Sequence, residues 1–562
     1  TTENNITGSD ITASGNITGV TTLTLASVGG TATLSGDVDV TAFAVDNTVL
    51  NVAFTGNGSS VTDAISFAND GTLTLGTSGG TQTYNGGLTT TSVGSTVTLN
   101  GTIASSDDAV VLGAVTLGSN TTVDTNSTTT NRADITIAAV TGGSNTLTLT
   151  TENNIANANI TASGNIGGVT TLTLANVGGT ATFSGTSNIT SLSVGNTVAN
   201  VNLSSSSFAV ANAVSFANDG TLTLGSSGGT QTYSGGLTTT SVGGTVTLNG
   251  SIKTSTNPIV LGAVTLANPV TIDTDATNNN GDITIGTVTG SGQNFAMETG
   301  NNVAGADITA NGAISNIATL ALDNVGGTAT FSGDVDVNAL DVDNTVANLA
   351  LTGNGSTIAT TFTPSNDGTL QLGDSPNDTL TFNGGINEGT SGTVTLFGSI
   401  VSSNDAITFG AIALGANTTL TSAGGAISVG AIGGSLGEDI TITSSGGGTN
   451  TVTTNGTIGA GGNINTVAIT GATSVSLGGN IATNDASGNT VTVTGSTVDF
   501  NGITINTNNT NNDGNVTINV DTFPDSVTVN AGTGIMQMTP VTTNAVIEAA
   551  RTNSGNISEG VF

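Results

Sequence analysis

The side chains of this sequence that could do chemistry are almost all carboxylates. Asp273, Asp275 and Asp282 lie close together in the chain, with Asn278 between them. Carboxylate and amide oxygens are the ligands that Ca²⁺ prefers in proteins. The sequence therefore predicts one calcium site, at Asp273, Asp275 and Asp282, and no other cofactor. The alternative is that these acidic residues are solvated members of turns.

A pair of carboxylates could also cleave a glycosidic bond if the two groups lay about 5–9 Å apart. Asp107 and Asp108 are adjacent, but Thr256 and Asn257 occupy the corresponding places further along the chain. The sequence has no His and no Cys. Zinc, haem and iron–sulfur sites therefore lack their usual ligands, and Ser or Cys nucleophiles lack a histidine base. We expect no enzyme activity.

The charge balance excludes further classes of protein. Lys and Arg number 3 against 37 Asp and Glu, which gives a net charge of −34 over 562 residues. Binding to nucleic acids or to anionic membranes needs clustered cations, so neither is expected. No run of about 18 apolar residues is present, so we expect no transmembrane helix. The chain begins at a threonine, which suggests a processed or excised segment.

The hydrophobic pattern is typical of β-strands. Polar and apolar residues alternate with period two in segments such as 21–25, 71–75 and 95–99. Many of these residues are Thr or Val, which suit a pleated surface. Only residues 544–551 have a pattern that fits a helical turn. The sequence therefore predicts an all-β fold.

Internal repetition organises the chain. The segment Asn-Asp-Gly-Thr-Leu occurs at 69–73, 218–222 and 366–370, which indicates tandem repeats of about 149 residues. Repetition of this kind is the usual sign of an array or solenoid. We predict four segments. They are a first β-solenoid repeat at 1–152, a second at 153–301, a third at 302–450, and a divergent partial fourth repeat with a C-terminal segment at 451–562.

Within each repeat, short β runs recur about every ten residues and are separated by Gly, Asn, Asp and Ser. Two such runs per turn would give coils of about 20 residues, and three would give about 30. This pattern predicts a parallel β-helix, a β-solenoid in which each coil buries its apolar residues against its neighbours. We expect an elongated rod. Tandem β-sandwiches are the competing architecture, but 15 Phe and 2 Tyr are few for sandwich cores.

Three aromatic residues, Tyr84, Tyr233 and Phe382, occupy matching places in the three full repeats. An exposed aromatic ring could stack on a sugar, but such residues more often pack beneath a turn. We predict packing.

The segments at 15–25 (GNITGVTTLTL) and 242–250 (VGGTVTLNG) resemble the passenger regions of large bacterial surface exoproteins. The similar families are filamentous-haemagglutinin-type adhesins and autotransporter passengers, and the resemblance is one of general pattern along the whole chain. It implies a secreted parallel β-helix that acts as an adhesin, a filament or a coat. The N-terminal secretion cap of the first family and a C-terminal membrane barrel are not recognisable.

These observations together predict an extracellular structural protein of a bacterial cell surface. We expect it to self-associate into a filament, sheath or surface layer, because identical coils can template further coils. The alternative is the stalk of a large adhesin that attaches to host cells, surfaces or polysaccharide. The residues that would mediate assembly or binding are not identifiable from the sequence.

Overall fold

The chain folds as an all-β parallel β-solenoid with about 24 turns of about 21 residues each. The computed structural model describes residues 1–2, 6–127, 133–153, 155–389, 391–435, 437–460, 464–484, 490–508, 513–522 and 525–542. These residues form two compact units, Thr1–Asp275 and Ala276–Phe562. No helix within the described ranges is long and apolar enough to cross a membrane.

The first unit contains strands β1 to β27. They are β1 Ile11–Ala13, β2 Ile17–Leu25, β3 Val28–Leu34, β4 Val38–Val45, β5 Val49–Phe54, β6 Ser60–Val61, β7 Ile65–Ser66, β8 Leu73–Leu75, β9 Thr81–Tyr84, β10 Leu88–Thr89, β11 Val97–Ser105, β12 Val110–Asp124, β13 Ile135–Thr141, β14 Thr146–Thr150, β15 Ile160–Ala162, β16 Ile166–Ala175, β17 Val177–Phe183, β18 Ser187–Val194, β19 Val198–Leu203, β20 Ser207–Val210, β21 Val214–Ser215, β22 Leu222–Leu224, β23 Thr230–Tyr233, β24 Leu237–Thr238, β25 Val246–Lys253, β26 Ile259–Leu261 and β27 Val264–Asp273.

The second unit contains strands β28 to β52. They are β28 Ile283–Ile285, β29 Val288–Glu298, β30 Ile308–Ala310, β31 Ile314–Asp323, β32 Thr328–Phe331, β33 Val335–Val342, β34 Asn348–Leu351, β35 Thr357–Ile358, β36 Thr369–Leu372, β37 Thr379–Phe382, β38 Ile386–Asn387, β39 Thr393–Ser402, β40 Ile407–Phe409, β41 Ile412–Ser422, β42 Ile427–Val429, β43 Ile432–Gly434, β44 Glu438–Ser444, β45 Thr451–Thr454, β46 Ile464–Leu477, β47 Ile481–Ala482, β48 Thr490–Asp499, β49 Thr504–Asn506, β50 Asn515–Thr522, β51 Thr528–Asn530 and β52 Met536–Thr539.

Strands of successive turns pair in parallel and build three stacks in the first unit, which we call columns 1, 2 and 3 in the order in which each turn passes through them. Inward residues of column 1 include Ala32, Val52, Leu73, Val97, Val115, Val140 and Ile166. Column 2 includes Ile103, Val123, Leu149, Leu174 and Val194. Column 3 includes Leu88, Val110, Ile135, Ile160, Ala181, Val201, Leu222 and Val246.

Three strands fit into turns of about 21 residues because many corners take only one or two residues. Strand β12, for example, contributes Val110, Val115 and Val123 to three different columns without an intervening loop. The sequence pattern predicted about 20 residues for two runs per turn and about 30 for three. In the structure, three strands occur in each turn of about 21 residues. They fit because strands such as β12 bend directly around the corners.

The interior is formed by the apolar residues of the alternating pattern. In β11, inward and outward residues alternate over the whole strand, and Val97, Leu99 and Ile103 are fully buried. Each such side chain lies on its counterpart in the turns before and after it, and burying one contributes about 1.5–3 kcal/mol. The parallel pairing and this stacked interior confirm the solenoid and exclude tandem sandwiches.

Identical segments do not occupy identical places in the coil. The Asn-Asp-Gly-Thr-Leu segment at 69–73 ends at Leu73, which pairs with Val52 and Val97 in column 1. The same segment at 218–222 ends at Leu222, which lies in column 3. The sequence repetition is therefore out of step with the turns in the first unit.

Two sequence predictions fall partly or wholly outside the described residues. The helical turn at 544–551 lies wholly outside them, and the fourth segment at 451–562 lies partly outside them. The division at 152, 301 and 450 stays a prediction about the sequence.

A glycine at one recurrent corner is required by the backbone. Gly250 lies within β25 where the chain bends from column 3 to column 1, and its φ is +66°. A Cβ atom there would lie 2.4 Å from the carbonyl oxygen of Gly229. We predict that Gly250→Ala lowers the free energy of unfolding by about 2 kcal/mol, because both the φ angle and the contact are unfavourable.

The matched control is Gly195→Ala. A Cβ atom at Gly195 has no neighbour within 4 Å, so this variant should change stability by less than about 0.5 kcal/mol. Thermal unfolding followed by circular dichroism measures both. Equal melting temperatures for the two variants would contradict the corner argument.

Candidate functional site

The carboxylates of Asp273 and Asp282, two of the three predicted calcium ligands, accept hydrogen bonds within the protein. Asp273 ends β27 in the first unit, where its Oδ2 lies 2.8 Å from Nζ of Lys253 and its Oδ1 accepts the backbone N–H of Asp275 at 2.7 Å. The side chain of Asp273 is only 10% exposed. Asp282 belongs to the second unit, and its Oδ1 accepts the N–H of Asp307 at 2.9 Å.

No group of three or more acidic side chains is arranged to hold a metal ion in the part of the chain that the structure describes. The bonds of Asp273 and Asp282 instead connect successive turns or close a local turn. Calcium binding by Asp273, Asp275 and Asp282 stays a prediction.

A recurrent role of Asp and Asn side chains is to form hydrogen bonds between successive turns. In this Asx ladder, Oδ1 of an Asp or Asn at a corner accepts the backbone N–H of the residue 21 positions later, at 2.7–3.2 Å. The pairs of the first unit include Asp10–Thr31, Asn16–Asp37, Asp37–Gly58, Asn51–Thr72, Asn159–Thr180, Asn165–Thr186 and Asn200–Thr221. The pairs of the second unit include Asp307–Thr328, Asp334–Gly355 and Asn348–Thr369.

The Asx ladder supplies hydrogen bonds at corners, where the pairing of strands is interrupted. A backbone N–H that lacks a partner is unfavourable, and a short polar side chain can replace the missing carbonyl. Sequence reasoning assigned these residues to solvated turns and missed the ladder. The recurrence of Asp or Asn 21 positions before a Thr or Gly is the signal that could have revealed it.

The aromatic residues at matching positions are buried, which confirms the packing prediction for Tyr84, Tyr233 and Phe382. The hydroxyl of Tyr84 donates to Oε1 of Gln82 at 2.8 Å, and Nε2 of Gln82 donates to the carbonyl oxygen of Phe54 at 2.9 Å. Tyr233 and Gln231 repeat the side-chain bond at 2.6 Å. These rings therefore fill the interior and are not available to a sugar.

One carboxylate has an unusual electrostatic environment. Asp124 is the last residue of β12. It lies opposite Ala104 of the neighbouring strand, and Asp273 lies opposite Lys253 in the same way. Burial first, and the neighbouring Glu152 to a smaller extent, raise the pKa of Asp124 to about 6, against the lowering effect of the Asn126 N–H. That N–H donates to Oδ1 of Asp124 at 2.8 Å. Ala104 therefore lies opposite the partly buried Asp124, where Lys253 lies opposite Asp273.

The calcium hypothesis has a direct test. If Asp273, Asp275 and Asp282 hold Ca²⁺, treatment with EGTA lowers the melting temperature, because the loss of a bound ion destabilises the folded state. The triple variant with Asn at these positions serves as the control and should not respond to EGTA. An unchanged melting temperature of the wild-type chain rejects the site.

The pKa of Asp124 predicts a pH dependence of stability. The folded-state pKa is about 6, against about 3.9 in the unfolded chain. Between these values the folded state binds more protons, so the contribution of Asp124 to stability rises as the pH falls from 7 to 4. We predict that Asp124→Asn stabilises the protein at pH 7 by about 1 kcal/mol, after allowance for solvent screening, and removes this part of the pH dependence.

Asp273→Asn is the matched variant with the opposite sign. It removes the partner of Lys253 and should lower stability at pH 7 by about 1 kcal/mol. Thermal unfolding at pH 5 and pH 7 measures both variants. If both variants shifted the melting temperature in the same direction at pH 7, the assigned role of Lys253 would be wrong.

The chain was compared with known proteins at three levels. No family model, no curated protein and no solved structure matches it.

Proposed function

We propose that this chain is an extracellular structural protein of a bacterial cell surface, a β-solenoid rod that self-assembles into a filament, sheath or surface layer. The observation that carries the proposal is the use of polar groups. Backbone amides, backbone carbonyls and the Asp and Asn side chains at corners are engaged in binding the next turn, as in the bond from the Thr31 N–H to Asp10. Side chains that bind the next turn of the same protein favour a structural role.

Hydrogen bonds of this kind can continue from one turn to the next without limit. Each turn offers the next one a row of backbone groups and a layer of apolar side chains, so an added coil makes the same bonds as an internal one. About 24 turns at about 4.8 Å per turn would give a rod roughly 115 Å long.

The location outside the cell rests on composition and resemblance. The chain has no Cys and only 3 basic residues, so trypsin-like proteases have few cleavage sites and no disulfide is needed for stability. The segments at 15–25 and 242–250 resemble bacterial surface exoproteins, as described above. The net charge of −34 opposes association at low ionic strength, and salt screens this repulsion.

The stalk of an adhesin is the second candidate. It is favoured by the departure of residues 451–562 from the repeated pattern, which includes Met536 and Met538 in β52. A specialised tip in this segment would attach to cells, surfaces or polysaccharide, and the repeated coils would serve as a spacer.

Electron microscopy of the purified full chain at low and physiological salt tests the proposal. We predict particles about 115 Å long that join into filaments or sheets as salt is added, because screening reduces the repulsion between acidic rods. Compact globules would contradict the rod. Dispersed single rods at every salt and protein concentration would contradict self-assembly and favour the adhesin stalk.

A further inference from the structure

The outward residues of column 3 in the first unit are uncharged over many successive turns. Most of them are Thr, and the pairing of the strands places them in one row along the coil. The members of this row are Ser66, Thr89, Val111, Thr136, Thr161, Thr182, Asn202, Thr223, Thr247 and Thr265. This row therefore presents no carboxylate or ammonium group, in a chain whose net charge is −34.

Column 1 has a second uncharged row. Its members, before Lys253 follows in the next turn, are Thr12, Thr33, Ala53, Thr74, Thr98, Thr116, Thr141, Gly167, Asn188, Ala209 and Thr232. Column 2 differs, because Asp39 and Asp124 both lie in its outward row. We call the first two surfaces the uncharged faces of columns 1 and 3.

The two uncharged faces display the same repeated sequence on different sides of the unit. Thr74 and Thr98 of column 1 recur 149 positions later as Thr223 and Thr247 of column 3. All four side chains are half-buried residues of the outer surface. One chain therefore carries two similar faces that can contact two different neighbours.

We propose that copies of this chain lie side by side, with each uncharged face packed against an uncharged face of a neighbouring copy. The inference rests on the proposed self-assembly and specifies its contact. Because each copy has two such faces, the contacts continue from copy to copy and produce a layer. The acidic face of column 2 then remains in contact with solvent.

Charge restricts which side of one copy can approach another. A contact between two column 2 faces would bring the carboxylates of Asp39 and Asp124 close to those of the neighbour, and like charges in a contact are costly. The faces of columns 1 and 3 avoid this cost. Asp70 and Asp219 are exposed at corners of the same unit, so some repulsion remains at low ionic strength and is screened by salt.

A second copy also matches these faces in spacing and size. Successive turns place outward residues about 4.8 Å apart, and an identical face has the same period, so side chains of the two copies can interdigitate as they do between paired β-sheets. Ten turns of strands three or four residues wide give a face of about 48 Å by 12 Å. Two such faces in contact bury about 1,150 Å² in total, which exceeds the roughly 1,000 Å² expected of a specific interface.

The residue types favour a protein surface over a sugar as the partner. Neither row contains an aromatic residue that could stack on a sugar ring. The side chains of Thr and Val are branched at Cβ and have few rotamers, so little conformational freedom is lost when they are covered. The methyl group of each Thr supplies apolar area to the contact.

Three matched double variants test the proposal, because each places two Asp residues on neighbouring turns of one column. They are Thr223→Asp/Thr247→Asp in column 3, Thr74→Asp/Thr98→Asp in column 1 and Thr148→Asp/Thr173→Asp in column 2. All six positions are half-buried, so the three variants should have similar melting temperatures. Circular dichroism checks that each variant is folded.

Sedimentation velocity and electron microscopy at physiological salt measure the assembly of the full chain. The column 2 variant should form layers as the wild type does. The column 1 and column 3 variants should form pairs at most, because one uncharged face remains in each. The fourfold variant with Asp in both columns should stay single, with association at least about tenfold weaker than that of the wild type.

A neutral variant separates the effect of charge from that of shape. Thr223→Asn/Thr247→Asn should assemble as the wild type does, because Asn202 already occupies the same row. Layers formed by the fourfold Asp variant, or an equal loss of assembly in the column 2 variant, would overturn the side-by-side contact and leave self-assembly standing. Wild-type chains that never associate at any salt concentration would overturn both.

Discussion

The structure depends on the parallel hydrogen bonds that each turn makes with the next. Among the described residues, each strand pairs with strands of the neighbouring coils, and bonds inside a coil are confined to local turns, such as that from the Gly80 N–H to the carbonyl oxygen of Thr77. A buried N–H or carbonyl without a partner is strongly unfavourable, and this constraint explains the polar residues at corners such as those of Asp10 and Thr90. Where strand pairing is interrupted, the Asx ladder supplies the missing acceptor, as Asn51 does for Thr72. Stability is therefore a property of adjacent turns.

Two pairs of buried polar side chains follow the same constraint. Gln82 and Tyr84 are buried and bonded to each other, and Gln231 and Tyr233 repeat the pair. In the second unit Leu380 and Phe382 stand in the corresponding places and are also buried. Replacing both members of a buried hydrogen-bonded pair by apolar groups of similar shape is nearly neutral, whereas replacing one is costly. The change from Gln and Tyr to Leu380 and Phe382 follows this rule.

A related substitution occurs at the corner after β10. The hydroxyl of Thr90 accepts the N–H of Gly113 at 3.1 Å, and Thr239 accepts that of Gly262 at 3.3 Å. In the second unit the carboxylate of Glu388 accepts the N–H of Gly410 at 3.1 Å. Glu388 is buried because its carboxylate accepts the N–H of Gly410. It makes the same kind of bond as the hydroxyl groups of Thr90 and Thr239.

The fold class could be predicted from the sequence because period-two alternation and repetition are properties of residue order alone. The burial of Tyr84 was likewise predictable from its recurrence. The number of strands per turn was not, because it depends on corners that strands such as β12 pass without a loop. The Asx ladder requires knowledge of the 21-residue register. The contrast between Asp124 and Asp273 required knowing that Ala104 and Lys253 lie opposite them in the neighbouring turn.

The mismatch between sequence repetition and coil has a geometric consequence. Leu73 and Leu222 end identical segments but belong to columns 1 and 3, so outward residues of the two copies point to different sides of the first unit. A planar partner that touched one copy could not touch the other at the same time. A partner that wraps around the coil could therefore bind several copies of the motif and gain avidity. A flat partner would bind one copy at a time.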